Sequence, residues 1–443
     1  MATTVDLIIV GAGLAGSAAA WAASARGADV VVLEAFGPGH KNGSSHGSAR
    51  IFRRAYPDPR YVRLAGVAGE RWRELADQAG ERLLTQTGGL DFGAGRDPRQ
   101  LHDVLTGCGV AAELLPPEEA ARRWPSFDFT GAGEVMFHGE AGVLDPHNAM
   151  AAMLRLAAAH GADVRFDTPV TRLAPAPSGD GAVAHTDSGS FTAPVIVVAA
   201  GAWLAPLLGG LVDLPPLTVT QQQIAHFAPA PPPEPRSTAQ TTLSSGTQAT
   251  PGSEAQATLS SGTQATPGSE AQTTLNSGTQ ATTGSGAQAA TLGSGRQATP
   301  AALWPIFIYQ DGGTDCYGLP GGRDGGAPGA IKVGEHAPVR ATTAIARDFG
   351  IDPAVRARLV DFVTERIPGL TATPVNEVTC LYTRTANEDF ILDRSGPFVV
   401  ASPCSGHGAK FAPLLGEIIA DLATGKPAPD PRFTLAAHRA TRP

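Results

Sequence analysis

Short apolar runs separated by glycine-rich turns are the main pattern at the start of the chain. Residues 6–10 (DLIIV) and 29–33 (DVVVL) have the length and composition of buried strands. An alanine-rich stretch at 17–25 lies between them and stops at Gly27, as a helix would. The pattern predicts a βαβ unit with its two strands parallel.

The same reading predicts further elements along the chain. Strands are expected at 161–166, 194–199, 218–227, 303–309 and 397–401. Helices are expected at 62–79, 147–159 and 414–423, the last followed by Gly425 as its cap. We expect the first and last segments to share one sheet, with the middle of the chain forming a second layer or domain.

Residues 236–300 break this pattern. The unit TTLSSGTQATPGSEAQ at 241–256 recurs at 257–272 and, degraded, at 273–288, a period of 16 residues. It has no aromatic residue and one leucine, so it buries too little apolar surface to offset the entropy of ordering its backbone. We predict a low-complexity, disordered insertion. A solenoid of stacked turns is the alternative, but it would need a wider apolar stripe in each repeat.

Composition and charge exclude several classes of protein. The 443 residues, 42% of them hydrophobic, allow one or two globular domains and exclude a small disulfide-stapled module. The net charge of −8 and the lack of basic runs argue against nucleic acid as a partner. The four cysteines have no metal-ligand spacing, so no metal is expected. Without a leader or a membrane-spanning stretch, we expect a cytoplasmic protein that binds no membrane.

Gly11, Gly13 and Gly16 form a GxGxxG motif directly after the first strand, and Glu34 ends the second. Glycines there permit a tight turn and close approach of a pyrophosphate to a helix N-terminus, and the acidic residue can accept from a ribose hydroxyl. The motif itself does not separate NAD from FAD. Its position near the N-terminus, with a glycine-rich loop at 405–410 (SGHGAK) opening the last helix, favours FAD.

Five separated segments carry recognisable motifs: the N-terminal βαβ unit, 44–53 (SSHGSARIFR), 317–336 (YGLP to IKVGEH), 379–385 (TCLYTRT) and 405–411 (SGHGAKF). Together they resemble the family of monomeric sarcosine oxidase and N-methyltryptophan oxidase, which are FAD-dependent amine oxidases. The resemblance implies an α/β fold: a Rossmann-like FAD-binding domain of the glutathione-reductase type and a substrate domain with a mixed sheet. We expect the FAD-binding domain at 1–80, 145–215 and 345–443, and the substrate domain at 81–144 and 216–344.

The resemblance also implies roles for individual residues. The family's flavin-linked cysteine matches Cys380, so FAD is expected to be covalent. The residues expected against the cofactor are Gly11, Gly13, Gly16, Glu34, Ser45, His46, Arg50, Cys380, Gly406, Gly408 and Lys410. Those expected in catalysis are Lys332, Arg50, Arg53, Lys410, Tyr317 and His336. Among these, Arg53 and Lys410 match the carboxylate ligands, and Lys332 the lysine that assists oxygen reduction.

The expected activity is oxidation of an N-methyl or cyclic secondary α-amino acid by a monomeric enzyme, giving an imine and, with molecular oxygen, hydrogen peroxide. Pro403, Cys404 and Ala409 depart from the family's pattern beside the SGHG loop, and Ser48 and Ala49 depart before Arg50. These departures leave sarcosine itself in doubt as the substrate. Three alternatives stay open: a flavin dehydrogenase with another acceptor, an NAD-dependent dehydrogenase, and a flavin-containing binding protein without turnover.

Overall fold

A computed structural model describes residues 3–231, 304–336 and 340–440. The predicted insertion at 236–300 lies outside them. The strands of the N-terminal half are β1 (Thr3–Thr4), β2 (Leu7–Val10), β3 (Val30–Leu33), β4 (Arg50–Phe52), β5 (Leu84–Gln86), β6 (Gly89–Phe92), β7 (Glu113–Leu115), β8 (Val135–His138), β9 (Gly142–Leu144), β10 (Asp163–Arg165), β11 (Val170–Pro175), β12 (Ala182–Thr186), β13 (Gly189–Ala193) and β14 (Val195–Val198). The later strands are β15 (Thr218–Pro229), β16 (Ile306–Asp311), β17 (Thr314–Pro320), β18 (Ile331–Glu335), β19 (Arg340–Thr342), β20 (Leu370–Arg384), β21 (Ile391–Ser395) and β22 (Phe398–Ser402).

Helices connect these strands. They are α1 (Leu14–Ser24), α2 (Pro59–Ala79), α3 (Pro98–Gly107), α4 (Pro117–Arg123), α5 (Pro146–Ala159), α6 (Leu204–Leu208), α7 (Pro353–Arg366), α8 (Ala412–Ala423) and α9 (Leu435–Ala440), with 3₁₀ turns at Gly201–Trp203, Gly408–Phe411 and Pro431–Phe433. No helix within the described ranges is long and apolar enough to cross a membrane.

A six-stranded sheet joins the two ends of the chain, in the order β10-β3-β2-β14-β22-β21. All its pairs are parallel except β21 with β22. Helices α1 and α8 pack so closely that a Cβ at Gly416 would overlap the Ala18 carbonyl. The expectation that the first and last segments share one sheet is therefore confirmed.

A second, nine-stranded sheet runs in the order β19-β15-β18-β17-β16-β6-β8-β7, with β20 also paired to β15. The β6–β16 pair is parallel and its other pairs are antiparallel, which confirms the expected mixed sheet. One face carries an apolar cluster that includes Phe307, Val333 and, from α7, Phe362. Because side chains alternate along a strand, the intervening residues face the other way, into the cavity described below.

The predicted elements are found with small shifts at their ends. Helix α1 begins at Leu14 rather than 17, so Gly16 lies in its first turn. Helix α8 begins at Ala412 because Pro413 can occupy the first turn, where its missing N–H has no partner to lose. Two smaller sheets, β1-β13-β12-β11 and β4-β9-β5, complete the fold. The predicted domain boundaries stay a prediction.

Candidate active site

A cavity of about 1290 Å³ runs from the N-terminus of α1 to the loop after β22, under the inward face of the nine-stranded sheet. All but one of the predicted site residues line it. These are Gly11, Gly13, Glu34, Ser45, His46, Arg50, Arg53, Tyr317, Lys332, His336, Cys380, Gly406, Gly408 and Lys410. The exception, Gly16, lies behind the lining. Residues from five separated segments therefore converge on one space.

Gly11, Gly13 and Gly16, which we call the glycine corner, lie at one end of the cavity. Gly11 has φ +99°, and a Cβ on it would lie 2.7 Å from the Ala199 carbonyl oxygen. A Cβ on Gly16 would overlap the Gly11 carbonyl oxygen. Gly13 caps α1 without a side-chain hydrogen bond, and the first turn of the helix borders the cavity. The backbone N–H groups of this first turn and the positive end of the helix dipole form an anion site.

Glu34 ends β3 beside this corner, where it is 6% exposed. Its Oε2 accepts from the Ala12 N–H at 2.7 Å and its Oε1 from the Phe36 N–H at 3.1 Å, while His40 Nε2 lies 3.3 Å from Oε1. Burial acts to raise the pKa of the carboxyl, but the hydrogen bonds from His40 and the backbone outweigh it and lower the pKa. Glu34 is therefore ionised, and its carboxylate lone pairs exceed these partners in number.

Lys332, in β18, is 5% exposed and donates to the Ala49 carbonyl at 3.2 Å. Burial, assisted by the charge of Arg50, lowers the pKa of its ammonium to about 7. Burial and the cations of Arg50 and Lys332 lower the pKa of His46 to about 3, so this imidazole is neutral at pH 7. His46 Nε2 is buried without a hydrogen-bond partner among the described residues. This part of the cavity thus combines a titratable cation with a neutral imidazole.

Two of the four free cysteines line the cavity, Cys380 in β20 and Cys404 after β22. Cys316 lies on the opposite face of β17 from Tyr317, and burial raises the pKa of its thiol. Arg347 supports the strand that carries Cys380, because it donates to the neighbouring Thr379 carbonyl and also to the Lys41 carbonyl at 2.6 Å. Cys380 is itself 5% exposed. The geometry therefore places both Cys380 and Cys404 in the lining of the cavity.

Arg53 and Lys410 form a pair of cations around one aromatic ring. The Arg53 Cζ lies 4.5 Å and the Lys410 Nζ 5.5 Å from the centroid of Tyr56. Burial lowers the pKa of both cations, and the charge of Arg53 lowers that of Lys410 further. Arg53 Nη1 is buried and has no hydrogen-bond partner within the described residues. Two desolvated cations with an open donor form a site for an anion such as a carboxylate.

Tyr56 is held in place by groups around it. Its hydroxyl lies 3.1 Å from His407 Nδ1, and His407 Nε2 lies 3.0 Å from the Glu388 carbonyl. Since a carbonyl only accepts, Nε2 carries the proton and Nδ1 accepts from Tyr56. Lys410 donates to the His407 carbonyl at 2.7 Å, and Tyr61 stacks on Tyr56 with centroids 5.2 Å apart. Positions 56, 61, 407 and 410 therefore form one connected unit.

The loop that carries Gly406 is strained. Ser405 is buried at φ 36°, a region that residues with a side chain rarely adopt, and Gly406 has φ 76°. A Cβ on Gly406 would lie 2.7 Å from the Tyr382 ring, and one on Gly408 would overlap the Pro403 carbonyl. The departures Pro403 and Cys404 both line the cavity here. The glycines thus allow the loop to approach the cavity closely.

Three residues at or beside the cavity were not predicted from the sequence. Tyr382 lies two residues from Cys380 on the same strand face, lines the cavity, and is close enough to Tyr317 for each hydroxyl to shift the pKa of the other. The alternation of β20 could have revealed it. Tyr56 is three residues from Arg53 but carries no motif. Arg347 lies outside every recognised segment, and only the fold brings it to β20.

Comparison with known proteins agrees with this arrangement. A family model described as FAD dependent oxidoreductase matches residues 6–282 and 284–422. Monomeric sarcosine oxidase of Streptomyces avermitilis is 32% identical over 99% of this chain and 100% of the relative. N-methyl-L-tryptophan oxidase of Yersinia pestis is 26% identical over 98% of this chain and 99% of the relative.

Solved structures share the fold at lower identity. NikD, an unusual amino acid oxidase essential for nikkomycin biosynthesis, superposes with a TM-score of 0.73 at 24% identity over 98% of this chain and 97% of its own. L-proline dehydrogenase from P. horikoshii gives a TM-score of 0.73 at 18% identity over 99% of each chain. At these identities the similarity establishes the fold.

Proposed function

The chain belongs to the family of FAD-dependent oxidoreductases, and on that premise we propose that it is a flavin-dependent oxidase of N-substituted or cyclic secondary α-amino acids. The observation that carries the substrate class is the cation pair Arg53 and Lys410, which shares the cavity with the predicted cofactor residues. An amine without a carboxylate would leave these two buried cations without an anion bound between them. The relatives act, by their names, on sarcosine and N-methyl-L-tryptophan, which are both N-methyl amino acids.

The residues present fit FAD. The cavity of about 1290 Å³ exceeds the roughly 300 to 1,000 Å³ of ordinary small-molecule pockets and has room for a dinucleotide and a substrate. Gly11 and Gly13 would receive the pyrophosphate at the N-terminus of α1, and Glu34 a ribose hydroxyl. Ser45, whose Oγ accepts from the Leu14 N–H at 3.0 Å, would lie beside the pyrophosphate. The residues that would border the ring system are His46, Arg50, Gly406 and Gly408. These assignments are consistent with the shared lining of one cavity.

When bound, FAD supplies the redox chemistry, taking a hydride equivalent from the carbon next to the substrate nitrogen to leave an imine, and passing the electrons to oxygen to give hydrogen peroxide. The residues of the chain itself position the substrate and stabilise charge around it. Arg53 and Lys410 hold the carboxylate, which fixes the amine relative to the ring system. Tyr317 and His336, on the inward face of the sheet, border the substrate. The low pKa of buried His336 keeps its imidazole neutral.

Lys332 would act at the step with oxygen. Negative charge develops on oxygen as it is reduced, and a cation held in a desolvated site lowers the energy of that charge. Lys332 is held by the Ala49 carbonyl, and its depressed pKa makes its charge depend on pH near neutrality. Oxygen as the acceptor is part of the proposal. Slow re-oxidation of the substrate-reduced enzyme by air would indicate a different acceptor.

The proposed function is tested by mixing the purified enzyme anaerobically with a panel of amines and following the visible flavin band. N-methyl and cyclic secondary amino acids are expected to bleach it. Matched amines that lack the carboxylate are expected to leave it unchanged, because the Arg53 and Lys410 site would be unfilled. A colourless protein, or bleaching that is indifferent to the carboxylate, would contradict the proposal.

Covalent attachment through Cys380 is tested separately. In Cys380→Ala, acid precipitation should release the flavin into the supernatant, because the proposed thioether partner is gone. Cys404→Ala is the matched control, since Cys404 also lines the cavity, and its flavin should stay with the precipitate. Flavin that stays with precipitated Cys380→Ala would exclude this linkage.

A further inference from the structure

A row of side chains on the inward face of β16, β17 and β18 leads from the centre of the cavity toward the hairpin between β16 and β17. The register pairs Leu319 with Lys332 and Tyr317 with Gly334. One step further along, the His336 N–H donates to the Asp315 carbonyl at 2.8 Å. Because inward-facing residues repeat every second position, Asp315 follows Leu319 and Tyr317 on the same face, and all three line the cavity.

Asp315 has one side-chain partner among the described residues. Gln310 Nε2 donates to its Oδ2 at 2.8 Å, and no ion pair reaches the carboxylate within the described part of the chain. The other oxygen, Oδ1, has no protein donor there. Burial lowers the pKa values of Arg53 and His336, and the negative charge of Asp315 partly offsets this effect in both. The Asp315 carboxylate therefore lies near both groups. The cavity thus contains a carboxylate with an open acceptor, close to Arg53, which with Lys410 forms the proposed site for the substrate carboxylate (the clamp).

Arg96, which follows β6 and contacts this row through Gln310, is already paired with Asp91. Its Nε donates to Asp91 Oδ1 at 2.7 Å, and the Asp91 side chain is fully buried while that of Arg96 is 9% exposed. Arg96 Nη1 is 3.4 Å from Gln310 Oε1. This contact and the bond to Asp315 fix the Gln310 amide with its oxygen toward Arg96 and its nitrogen toward Asp315. The side chains of Asp91, Arg96, Gln310 and Asp315 carry a net charge of −1, and within this group the carboxylate without a cationic partner is that of Asp315. The cation whose pKa Asp315 raises, Arg53, is assigned to the α-carboxylate of the substrate.

We infer that Asp315 determines substrate specificity by receiving a cationic nitrogen on the side chain of the amino acid, while Arg53 and Lys410 hold its α-carboxylate. The substrate class is then an N-substituted α-amino acid with a basic side chain. This inference rests on the proposed function. An acidic side chain would meet the Asp315 carboxylate, and the guanidinium that could offset it is occupied by Asp91.

The test compares Nα-methyl-lysine, Nα-methyl-norleucine and Nα-methyl-glutamate by anaerobic flavin reduction, which gives a dissociation constant and a limiting rate for each. Norleucine has the carbon chain of lysine without the terminal nitrogen. The wild-type enzyme should favour the lysine derivative over the norleucine derivative by about tenfold or more, since a charge-assisted hydrogen bond is lost in the latter. The glutamate derivative should be the poorest of the three.

The variant Asp315→Asn keeps the shape and removes the charge. It should lower kcat/KM for the lysine derivative by about tenfold and leave that of the norleucine derivative within about threefold. Asp311→Asn is the matched control: Asp311 lies in the same hairpin, accepts from the Tyr309 hydroxyl at 3.1 Å and does not line the cavity, so the lysine preference should persist.

Equal or better reduction by the norleucine derivative, or an equal effect of Asp315→Asn on both substrates, would overturn this inference while leaving the proposed function standing. Preference for the glutamate derivative would overturn it in favour of Arg96. If none of the three derivatives reduces the flavin although other N-methyl amino acids do, the inference alone fails. If no secondary amino acid of any kind does, the proposed function fails and this inference with it.

Discussion

The two ends of the cavity use different chemical groups to bind their ligands. At the glycine corner the contacts are made by backbone, and the residues that matter are those that have no side chain: Gly11, Gly13 and Gly16. At the clamp the contacts are made by long charged side chains, Arg53 and Lys410, held around the Tyr56 ring. The first end depends on close packing of a helix on a strand, and the second on the placement of desolvated charge.

Because of this difference, changes at the glycine corner should affect mainly the stability of the fold, and changes at the clamp mainly the affinity for the substrate carboxylate. A backbone site forms only if the βαβ unit packs correctly, so damage there should unfold the unit and lose the cofactor together. A site made of cations opposes folding, because burial of unpaired charge is unfavourable. Removing a cation there should therefore leave the protein folded and cost it affinity for its ligand. The predictions below test this contrast, from the largest expected effect to the smallest.

Gly16→Ala should have the largest effect. Its Cβ would overlap the Gly11 carbonyl oxygen, and neither the helix nor the strand can move without separating α1 from the sheet. We expect a loss of about 3 kcal/mol or more in the free energy of unfolding, measured by urea denaturation, and little bound flavin. Gly107→Ala is the control, since a Cβ at Gly107 meets nothing within 4 Å. Normal stability and flavin content in Gly16→Ala would contradict the packing argument.

Arg53→Met should leave stability unchanged or slightly higher and weaken carboxylate binding. Loss of a desolvated charge partner amounts to about 2 to 5 kcal/mol, so the dissociation constant should rise by about a hundredfold. It is measured by titrating the oxidised enzyme with a carboxylate inhibitor and following the flavin spectrum. Arg54→Met is the neighbouring control, because Arg54 pairs with Glu140 at 2.8 Å and does not line the cavity. An unchanged constant in Arg53→Met would place the carboxylate elsewhere.

The same contrast explains what could be predicted from the sequence. The glycine corner is local: strand, motif and helix lie within residues 7–24, and their packing demands small residues that the sequence displays. The four central strands of the six-stranded sheet were recognisable because burial on both faces requires continuous apolar runs, as in Val195–Val198. The edge strand β21 (Ile391–Ser395) was not predicted, because its polar residues Asp393, Arg394 and Ser395 interrupt the apolar run. The order of the strands in the sheet was recognisable only in part, because it depends on pairing between distant segments.

The clamp was harder to predict from the sequence than the glycine corner. Arg53 and Lys410 were found through a family resemblance, and their separate positions in the sequence do not indicate that both lie over Tyr56. The contact of Arg96 with Gln310, which joins the Asp91–Arg96 pair to Asp315, depends on β6, β16 and β17 being neighbours. The sequence pattern of short mixed strands specifies neither their order nor their register. Long-range side-chain arrangements therefore needed the fold.

The charge of Lys332 gives an intermediate effect that depends on pH. Burial lowers the pKa of its ammonium from its usual value to about 7, so the cation is present below that pH and is lost as the pH rises through it. If the cation assists oxygen, the rate of re-oxidation should be high below pH 7 and fall by roughly tenfold per pH unit above it, until an unassisted rate is reached. Stopped-flow mixing of reduced enzyme with oxygen measures this.

Lys332→Met should remove that pH dependence, re-oxidise slowly at every pH and keep the rate of anaerobic flavin reduction. Lys426→Met is the control, because Lys426 is an exposed residue paired with Asp421 at 2.9 Å. Its pH profile should match that of the wild type. A Lys332→Met enzyme with the wild-type profile would assign the titration to another group.

Tyr56 should give the smallest effect and the sharpest test of the clamp as a unit. Its ring faces both cations, and a cation–π contact of about 0.5 to 1.4 kcal/mol means that Tyr56→Leu should raise the dissociation constant of a carboxylate inhibitor by about two- to tenfold. Tyr56→Phe keeps the ring, loses the hydrogen bond to His407 and should restore most of the affinity. A neutral amide analogue of the inhibitor distinguishes positioning from general damage: its weaker binding should change little in Tyr56→Leu, because it does not depend on the two charges. Equal losses for the acid and the amide would mean that Tyr56 only fills space.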